Sequence, residues 1–393
     1  MKRIVLTLVA LLIGTAVWLP CVHFLFRAAP GDYRAQAALP ERTRALAFRH
    51  IAFWQDSDFR DRELAQMRVS NAEWDFMGRT FLALSLANMA CREPATALGY
   101  LSVMDTIIAD TVRLEDERGL FHFLMPYAQE MPFVAQPPRS LFLDGEIALM
   151  LAARRLVRER PGYRSLMDER IETMIARMKE SPVLAAESYP NECWLFCNTV
   201  ALAAIKLSDI LDGPHHEDFI EQWLAITKRE LLDPETGLLY ASYDVAGVPL
   251  QGPEGSSIWM AAHCLQVVDE DFARDQYQRA RKELARSVLG FGYAREWPVS
   301  YKGPVDVDSG PVIPILGISP GSSGLALLGA SAFGDIDYFQ KLLTSLRFVG
   351  FPLETDGRLQ FCASNQVGDA VLLYAMVVGP LWEKARVLEG RKL

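Results

Sequence analysis

Phosphate-binding glycine loops are missing from this 393-residue chain: neither GxxxxGK[ST] nor a strand-borne GxGxxG occurs, so the usual nucleotide and dinucleotide seats are absent. No Lys/Arg cluster interrupts a net charge of -9 that is spread along the sequence, and a nucleic-acid surface needs one, so nucleic acid is set aside as a partner. The six cysteines, at positions 21, 91, 193, 197, 264 and 362, lack the short regular spacings of a disulfide scaffold. Cys193-x3-Cys197 has no second Cys or His pair beside it, and His215-His216 has no carboxylate at a ligand spacing. No metal set emerges, and no cofactor is expected. No sequence period of ~34–47 residues recurs, which weighs against an open helical solenoid.

What the chain does have is apolar content, 50% of residues with 10% aromatic, enough for a large core. The stretch from Ile4 to Phe26 carries no acid or base except His23 and follows Lys2 and Arg3. It is long enough to cross a hydrocarbon core of ~30 Å. No small-x-small cleavage site directly adjoins the run, and Cys21 is preceded by Trp-Leu-Pro, so an uncleaved single-pass anchor is expected over a removed signal. Lys2 and Arg3 would keep the N-terminus in the cytoplasm and send the body to the extracytoplasmic face of the inner membrane. The organisation expected is an anchor over 1–27, a polar tether over 28–40 and one domain over 41–393.

Within that domain, helix-length apolar patterns run over 41–55, 72–90, 94–112, 142–159, 163–179, 192–211, 216–231, 256–267, 271–289, 321–333, 335–347 and 367–388. No convincing alternating strands appear. About twelve helices in sequential hairpins, with long Pro/Gly-rich connections at 113–140, 180–191, 240–256 and 291–320, predict an all-α (α/α)6 barrel with one elaborated rim.

Chemistry gathers on those long connections. Pro190 and Asn191 look like the entry and cap of a helix that would put Cys193 and Cys197 one turn apart on one face. Ser188 precedes them and Trp194 lies between. Glu146 follows Phe142-Leu-Asp-Gly and reads as an acid in the first turn of its helix, where the dipole alone would explain it. Tyr240, Tyr243, Ser256 and Trp259 follow around the next loop, and Asp306 and Asp308 alternate along a segment after Arg295-Glu-Trp-Pro. A buried Cys, packed aromatics and an Asx turn are the plain structural alternatives. Taken together, acid, base, thiol and aromatic groups suit proton transfer without a cofactor.

The segment Tyr189-Pro-Asn-Glu-Cys-Trp-Leu-Phe-Cys197-Asn198, then Trp223-Leu and Leu232-Asp-Pro-Glu-Thr-Gly-Leu-Leu-Tyr240-Ala-Ser-Tyr243, resembles the linalool dehydratase/isomerase family, with looser likeness at Val268–Phe272, Arg295-Glu296 and Asp306–Gly310. The resemblance implies an (α/α)6 barrel. It also implies a cofactor-free lyase or isomerase that removes water from a tertiary allylic terpenoid alcohol, or isomerises it, outside the cytoplasm. The family's second catalytic cysteine falls on Cys197, its first on Ser188 and its acid/base histidine on Glu146, while its aspartate and tyrosine have no counterpart in His50–Asp58. Asp306 or Asp308 would then be the base, and Trp194 or Trp259 a cation-stabilising face, with Phe142, Cys193, Tyr240, Tyr243 and Ser256 around the substrate. Family members assemble so that a neighbouring subunit completes the site, which makes a homo-oligomer a candidate. The competing readings are a membrane-anchored glycan hydrolase or epimerase on the same barrel, and a non-catalytic tethered binding protein.

Overall fold

Hydrophobic periodicity becomes a closed double ring in the computed structural model, which describes residues 2–303 and 310–390. The fully exposed α1 (Lys2–Trp18) continues into a 3-10 stretch, Leu19–Leu25. It belongs to the one helix among the described residues that is long and apolar enough to cross a membrane. After α2 (Glu41–Gln55) and α3 (Ser57–Ser70), α4 (Ala72–Arg92) begins an inner ring and α5 (Ala97–Arg118) returns outside it. The alternation repeats with α6 (Leu141–Val157) inside and α7 (Tyr163–Met178) outside, α8 (Leu195–Asp212) inside and α9 (Glu217–Glu230) outside. It goes on through α10 (Gly255–Leu265) and α11 (Glu270–Glu283), then α12 (Pro320–Ala332) and α13 (Ile336–Val349), to the inner α14 (Gln366–Val377). The ring closes because α14 packs on α4, with α2 outside it as the sixth outer helix. This is an (α/α)6 barrel.

Composition sorts the two layers. Every residue of α6 from Leu141 to Leu156 is buried, whereas α11 buries only Phe272, Ala273, Gln276, Tyr277 and Ala280 along one stripe. Gly145 lets α6 and α8 meet closely: a Cβ there would sit 3.3 Å from Ala201. Side-chain caps fix where helices start, with Asn71, Asp269, Ser319, Asp335 and Asn365 each accepting from a first-turn N–H.

The inner helices all begin at one end of the barrel. Their C-terminal end is covered by α15 (Pro380–Gly390), through Leu381 N–H to Asn88, Trp382 Nε1 to the His263 carbonyl, and Lys384 Nζ to the Val157 carbonyl. The single helix expected over 367–388 is thus two, because Gly379 at φ 131 and Pro380 turn the chain across the ring. Further differences from the sequence expectation have local causes. The polar α3 buries only Leu64 and leaves little apolar signal. The pattern over 271–289 stops at Glu283, followed by a hairpin of β4 (Ala285–Val288) and β5 (Phe291–Ala294) whose turn residues Leu289 and Gly290 have φ 49 and 85. A second hairpin, β6 (Pro352–Thr355) and β7 (Arg358–Phe361), turns on Asp356-Gly357. A small sheet in the order β1 (Cys193–Trp194), β2 (Ser242–Tyr243), β3 (Pro249–Gln251) completes the rim. Residues 28–40, expected as a tether, lie along the barrel, with Arg34 on Ser331 and Ala35 N–H on the Met376 carbonyl.

One buried ion cluster ties the first helices together. Arg79 is 2% exposed and donates to Asp75 at 2.7 Å and to Asp110 at 2.8 Å. Arg79→Met should lower unfolding free energy by about 3 kcal/mol, because it leaves the buried Asp75 with only the longer 3.4 Å contact to Arg68. A urea-unfolding midpoint unchanged from the parent would contradict this.

Candidate functional site

The open end of the ring holds a cavity of about 590 Å³ lined by residues of the first two turns of the inner helices, among them Glu73, Met77, Phe142, Cys197, Ser257, Leu325 and Val371. Its wall is mainly apolar and aromatic, with Trp74, Tyr127, Tyr189, Trp194 and Phe196 towards the first four inner helices. Cavities of this size and character are the usual seats of small ligands.

Glu146 lies one layer behind that wall. Helix α6 starts at Leu141, so Glu146 is in its second turn and not in the first, where the dipole would have held the carboxylate charged. It is 1% exposed and accepts a hydrogen bond from the Thr80 hydroxyl. Burial pushes its carboxyl up to about 8, the Glu73 charge adds to the rise, and the Thr80 bond opposes it. Glu146 is thus a protonated acid at neutral pH.

Cys197 lines the cavity, and its thiol is held neutral by burial first, a rise that the hydrogen bond with Ser188 opposes and that Glu73, and Glu146 once it ionises, reinforce. The Ser188 and Tyr243 hydroxyls are buried beside this thiol; Ser188 has no partner but the thiol, and Tyr243 none, among the described residues. Buried polar atoms are rarely left so. Burial, with Cys193 and Cys197 next in order, raises the Tyr243 phenol.

The expected Cys193–Cys197 helical pair does not form. Asn191 adopts φ 57 and donates its N–H to Glu187 at 2.7 Å, so the chain turns and runs extended through β1 before α8 begins. Cys193 is then buried opposite Tyr243 across β1 and β2, off the cavity wall, and both thiols are free. Asn198 is a brace, accepting from Ala186 N–H at 3.2 Å and donating to the Trp194 carbonyl at 2.9 Å.

Phe142, Trp194 and Ser256 are on the wall; Trp194 donates to Glu192 at 2.9 Å, and Ser256 N–H donates to Glu296 at 2.8 Å. Trp259 is not. It faces the outer layer, donating to Ser322 at 3.1 Å and packing on Tyr277 and Tyr338, because its place on α10 points between the rings. Tyr240 is half-buried near Asp233 and also lies off the wall. Asp306 and Asp308 fall outside the described residues. Gly317-Ile-Ser319-Pro-Gly321 has serine-elbow spacing, but Ser319 caps α12 and donates to Glu296, so it is a structural hydroxyl.

Sequence reasoning passed over Glu73 and Tyr189. Glu73, in the first turn of α4, accepts from the Tyr189 hydroxyl, which itself accepts from Met125 N–H at 2.9 Å. Tyr189 stacks on Tyr127 with ring centroids 4.7 Å apart. The signal was available: in a double ring, the first turn of every inner helix faces the open end, and Asn71-Ala-Glu73 marks such a turn.

Ring and site together define a helical-barrel protein with a buried acid and a neutral thiol beneath an apolar cavity. The chain belongs to the linalool dehydratase/isomerase family, which matches residues 153–361, just over half of it. Among solved structures it is similar to a family 76 glycoside hydrolase, an α-mannanase of Bacteroides thetaiotaomicron, at 12% identity and TM-score 0.50 over 80% of this chain and 87% of that one. It is also similar to the family 76 α-1,6-mannanase of Salegentibacter, at 15% identity and TM-score 0.48 over 78% and 89%. A family 105 glycoside hydrolase of C. acetobutylicum follows at 14% and 0.45 over 77% and 93%. At such identities the likeness is one of fold.

The Glu146 carboxyl gives a pH signature. Between its ordinary 4.5 and about 8, the unfolded chain releases a proton that the folded chain keeps, so stability falls as pH rises through that window. Glu146→Gln should remove a slope of about 1.4 kcal/mol per pH unit and be the more stable protein at pH 8. Parallel urea midpoints for the two proteins from pH 5 to 8 would count against the assignment.

Proposed function

We propose that the protein is a lyase or isomerase that uses its own acid and base groups on a small apolar alcohol of the tertiary allylic, terpenoid class. The supporting observation is Glu146: a buried carboxyl hydrogen-bonded to a hydroxyl, set under an apolar cavity whose wall carries Cys197. The alcohol oxygen is held at the Cys197 thiol, with Ser188 and Tyr243 as the neighbouring hydroxyls. Glu146 gives its proton to that oxygen, the C–O bond breaks, and water leaves with the bonding electrons. The Tyr127, Tyr189 and Trp194 ring faces stabilise the allylic cation by roughly 0.5–2 kcal/mol. Glu73 then takes a proton from the adjacent carbon, the electron pair becomes the new double bond, and solvent exchange restores both carboxyls. Return of water to the far end of the allylic cation gives the isomer instead.

A small apolar alcohol is favoured over a sugar by the balance of the wall, where Met77, Phe142, Phe196, Leu325, Val367 and Val371 dominate over a polar minority that includes Glu254, Ser256 and Asn365. The apolar N-terminal helix acts as an inner-membrane anchor in this reading, with the barrel on the extracytoplasmic side, as Lys2 and Arg3 favour.

Incubating the full-length protein with a panel of tertiary allylic alcohols, with dienes and rearranged alcohols read by gas chromatography, tests the proposal. Turnover should be lowered about 100-fold or more in Glu146→Gln and strongly in Glu73→Gln, as for a lost acid or base. It should decline above about pH 8 as Glu146 ionises. Undiminished turnover in Glu146→Gln would remove the central acid.

A further inference from the structure

The anchor does not leave the barrel at an arbitrary point. Helix α1 has 17 residues and rises about 26 Å, and the seven-residue 3-10 stretch adds about 14 Å, so a core of ~30 Å ends near Cys21. The next residues, His23 to Phe26, therefore lie at the level of the lipid interface.

At that level the chain is docked on the mouth end of the barrel. The His23 ring packs over Gly290 and 6.3 Å from Phe291, and Phe26 lies 4.8 Å from Phe348. Arg347 donates to the Phe26 carbonyl at 2.8 Å, and Arg27 reaches Gln340. Phe291 is in the β4–β5 hairpin, and Phe348 is in the last turn of α13, just before the β6–β7 hairpin. Both hairpins lead into the cavity. Strand β5 bonds through Ala294 to Ser319, the cap of α12, and β7 runs into Ala363-Ser364-Asn365 on the cavity wall.

The tip of the first hairpin and the base of the second are apolar and exposed. Val288 and Leu289 are exposed at the first tip, and Val349, Phe351 and Leu353 at the base of the second hairpin, whose own Asp356-Gly357 tip lies beside α2; Phe351 is 66% exposed. Leu289 and Phe351 adopt φ 49 and 48, a left-handed conformation that turns normally give to Gly or Asn and that strains a bulky side chain. A Leu and a Phe held outward in that conformation call for a medium that rewards their exposure. Ile315, 92% exposed, stands on the segment that begins with the wall residues Gly310 and Pro311. The basic Arg27 and Arg347 lie just behind this apolar layer, where headgroup phosphates would be.

We propose that the β4–β5 tip, the base of the β6–β7 hairpin and the 310–316 segment sit in the lipid interface around the anchor, holding the cavity mouth against the bilayer, so that the substrate is a lipid-dissolved alcohol that enters from the membrane. The second half of this rests on the lyase or isomerase reading; the first half does not. Occupancy by lipid follows from continuity with the anchor, which emerges in the middle of the same apolar surface.

The test uses the full chain reconstituted in phosphatidylcholine vesicles containing a phospholipid with a photoreactive diazirine on its acyl chain. After irradiation, mass spectrometry should find adducts at 288–291 and 348–353 as well as on the anchor, and none at Leu98, which is 67% exposed at the opposite end of the barrel. Adducts confined to residues 2–26 would overturn the docking. In the same vesicles, Leu289→Asp combined with Phe351→Asp should raise the apparent KM, expressed as mole fraction of alcohol in lipid, several-fold while kcat stays. An unchanged KM would overturn delivery from the bilayer. If no allylic alcohol is turned over by the parent protein but the hairpin adducts appear, the functional reading fails and the docking stands.

Discussion

Closing six helices into a ring desolvates whatever ionisable group points inward from their upper turns, and the rest of this site follows from that. Glu146 occupies such a position, against Thr80 and beneath Cys197, with α4, α6 and α8 packed around it. Burial disfavours its charged form, and Glu73 disfavours it further, so the proton stays on until about pH 8. An open stack of the same helices would have let water reach this carboxyl and returned it to ordinary behaviour.

Other buried acids show the contrast. Glu187 accepts from Val134, Ala135 and Asn191 N–H groups and so pins the loop beside α8. Glu296 holds the starts of α10 and α12 through Ser256 and Ser319. Asp144, two residues before Glu146, meets Arg139 and Arg170. These carboxylates have donors around them and act as braces, whereas Glu146 has a single hydroxyl and acts as a store of a proton. The far end of the ring does a separate job. There His263, bonded to Tyr374 at 2.7 Å and stacked on Trp382, is held neutral by burial and helps α15 seal the barrel.

Much of the fold was legible because it rests on long apolar periodicity. All twelve sequence patterns correspond to the barrel helices α2 and α4 to α14, and the anchor is visible as an uninterrupted apolar run. Short-range backbone chemistry was harder to read. Leu289-Gly290 gives a turn with a Leu at positive φ, and Asn191 at φ 57 delays α8 by several residues and separates Cys193 from Cys197. Asp356-Gly357 was a readable hairpin signal that the apolar patterns on either side obscured. In the site, Cys197, Ser188, Trp194, Phe142 and Ser256 were reachable from the loops and the family likeness. Glu73 was marked only by the Asn71 cap at the start of α4, a signal that points to the cavity once the radial arrangement of the helices is known. Trp259 was assigned to the cavity for its chemistry, while its helix phase turns it outward.

The central claim is that the ring keeps one carboxyl protonated at neutral pH, and it can be observed without knowing the substrate. In a protein labelled with carbon-13 at glutamate side-chain carboxyls, an NMR titration should show one resonance with a midpoint near 8, absent from Glu146→Gln. If every glutamate carboxyl in the folded protein titrates in the ordinary range below about 5, the account of the site is wrong.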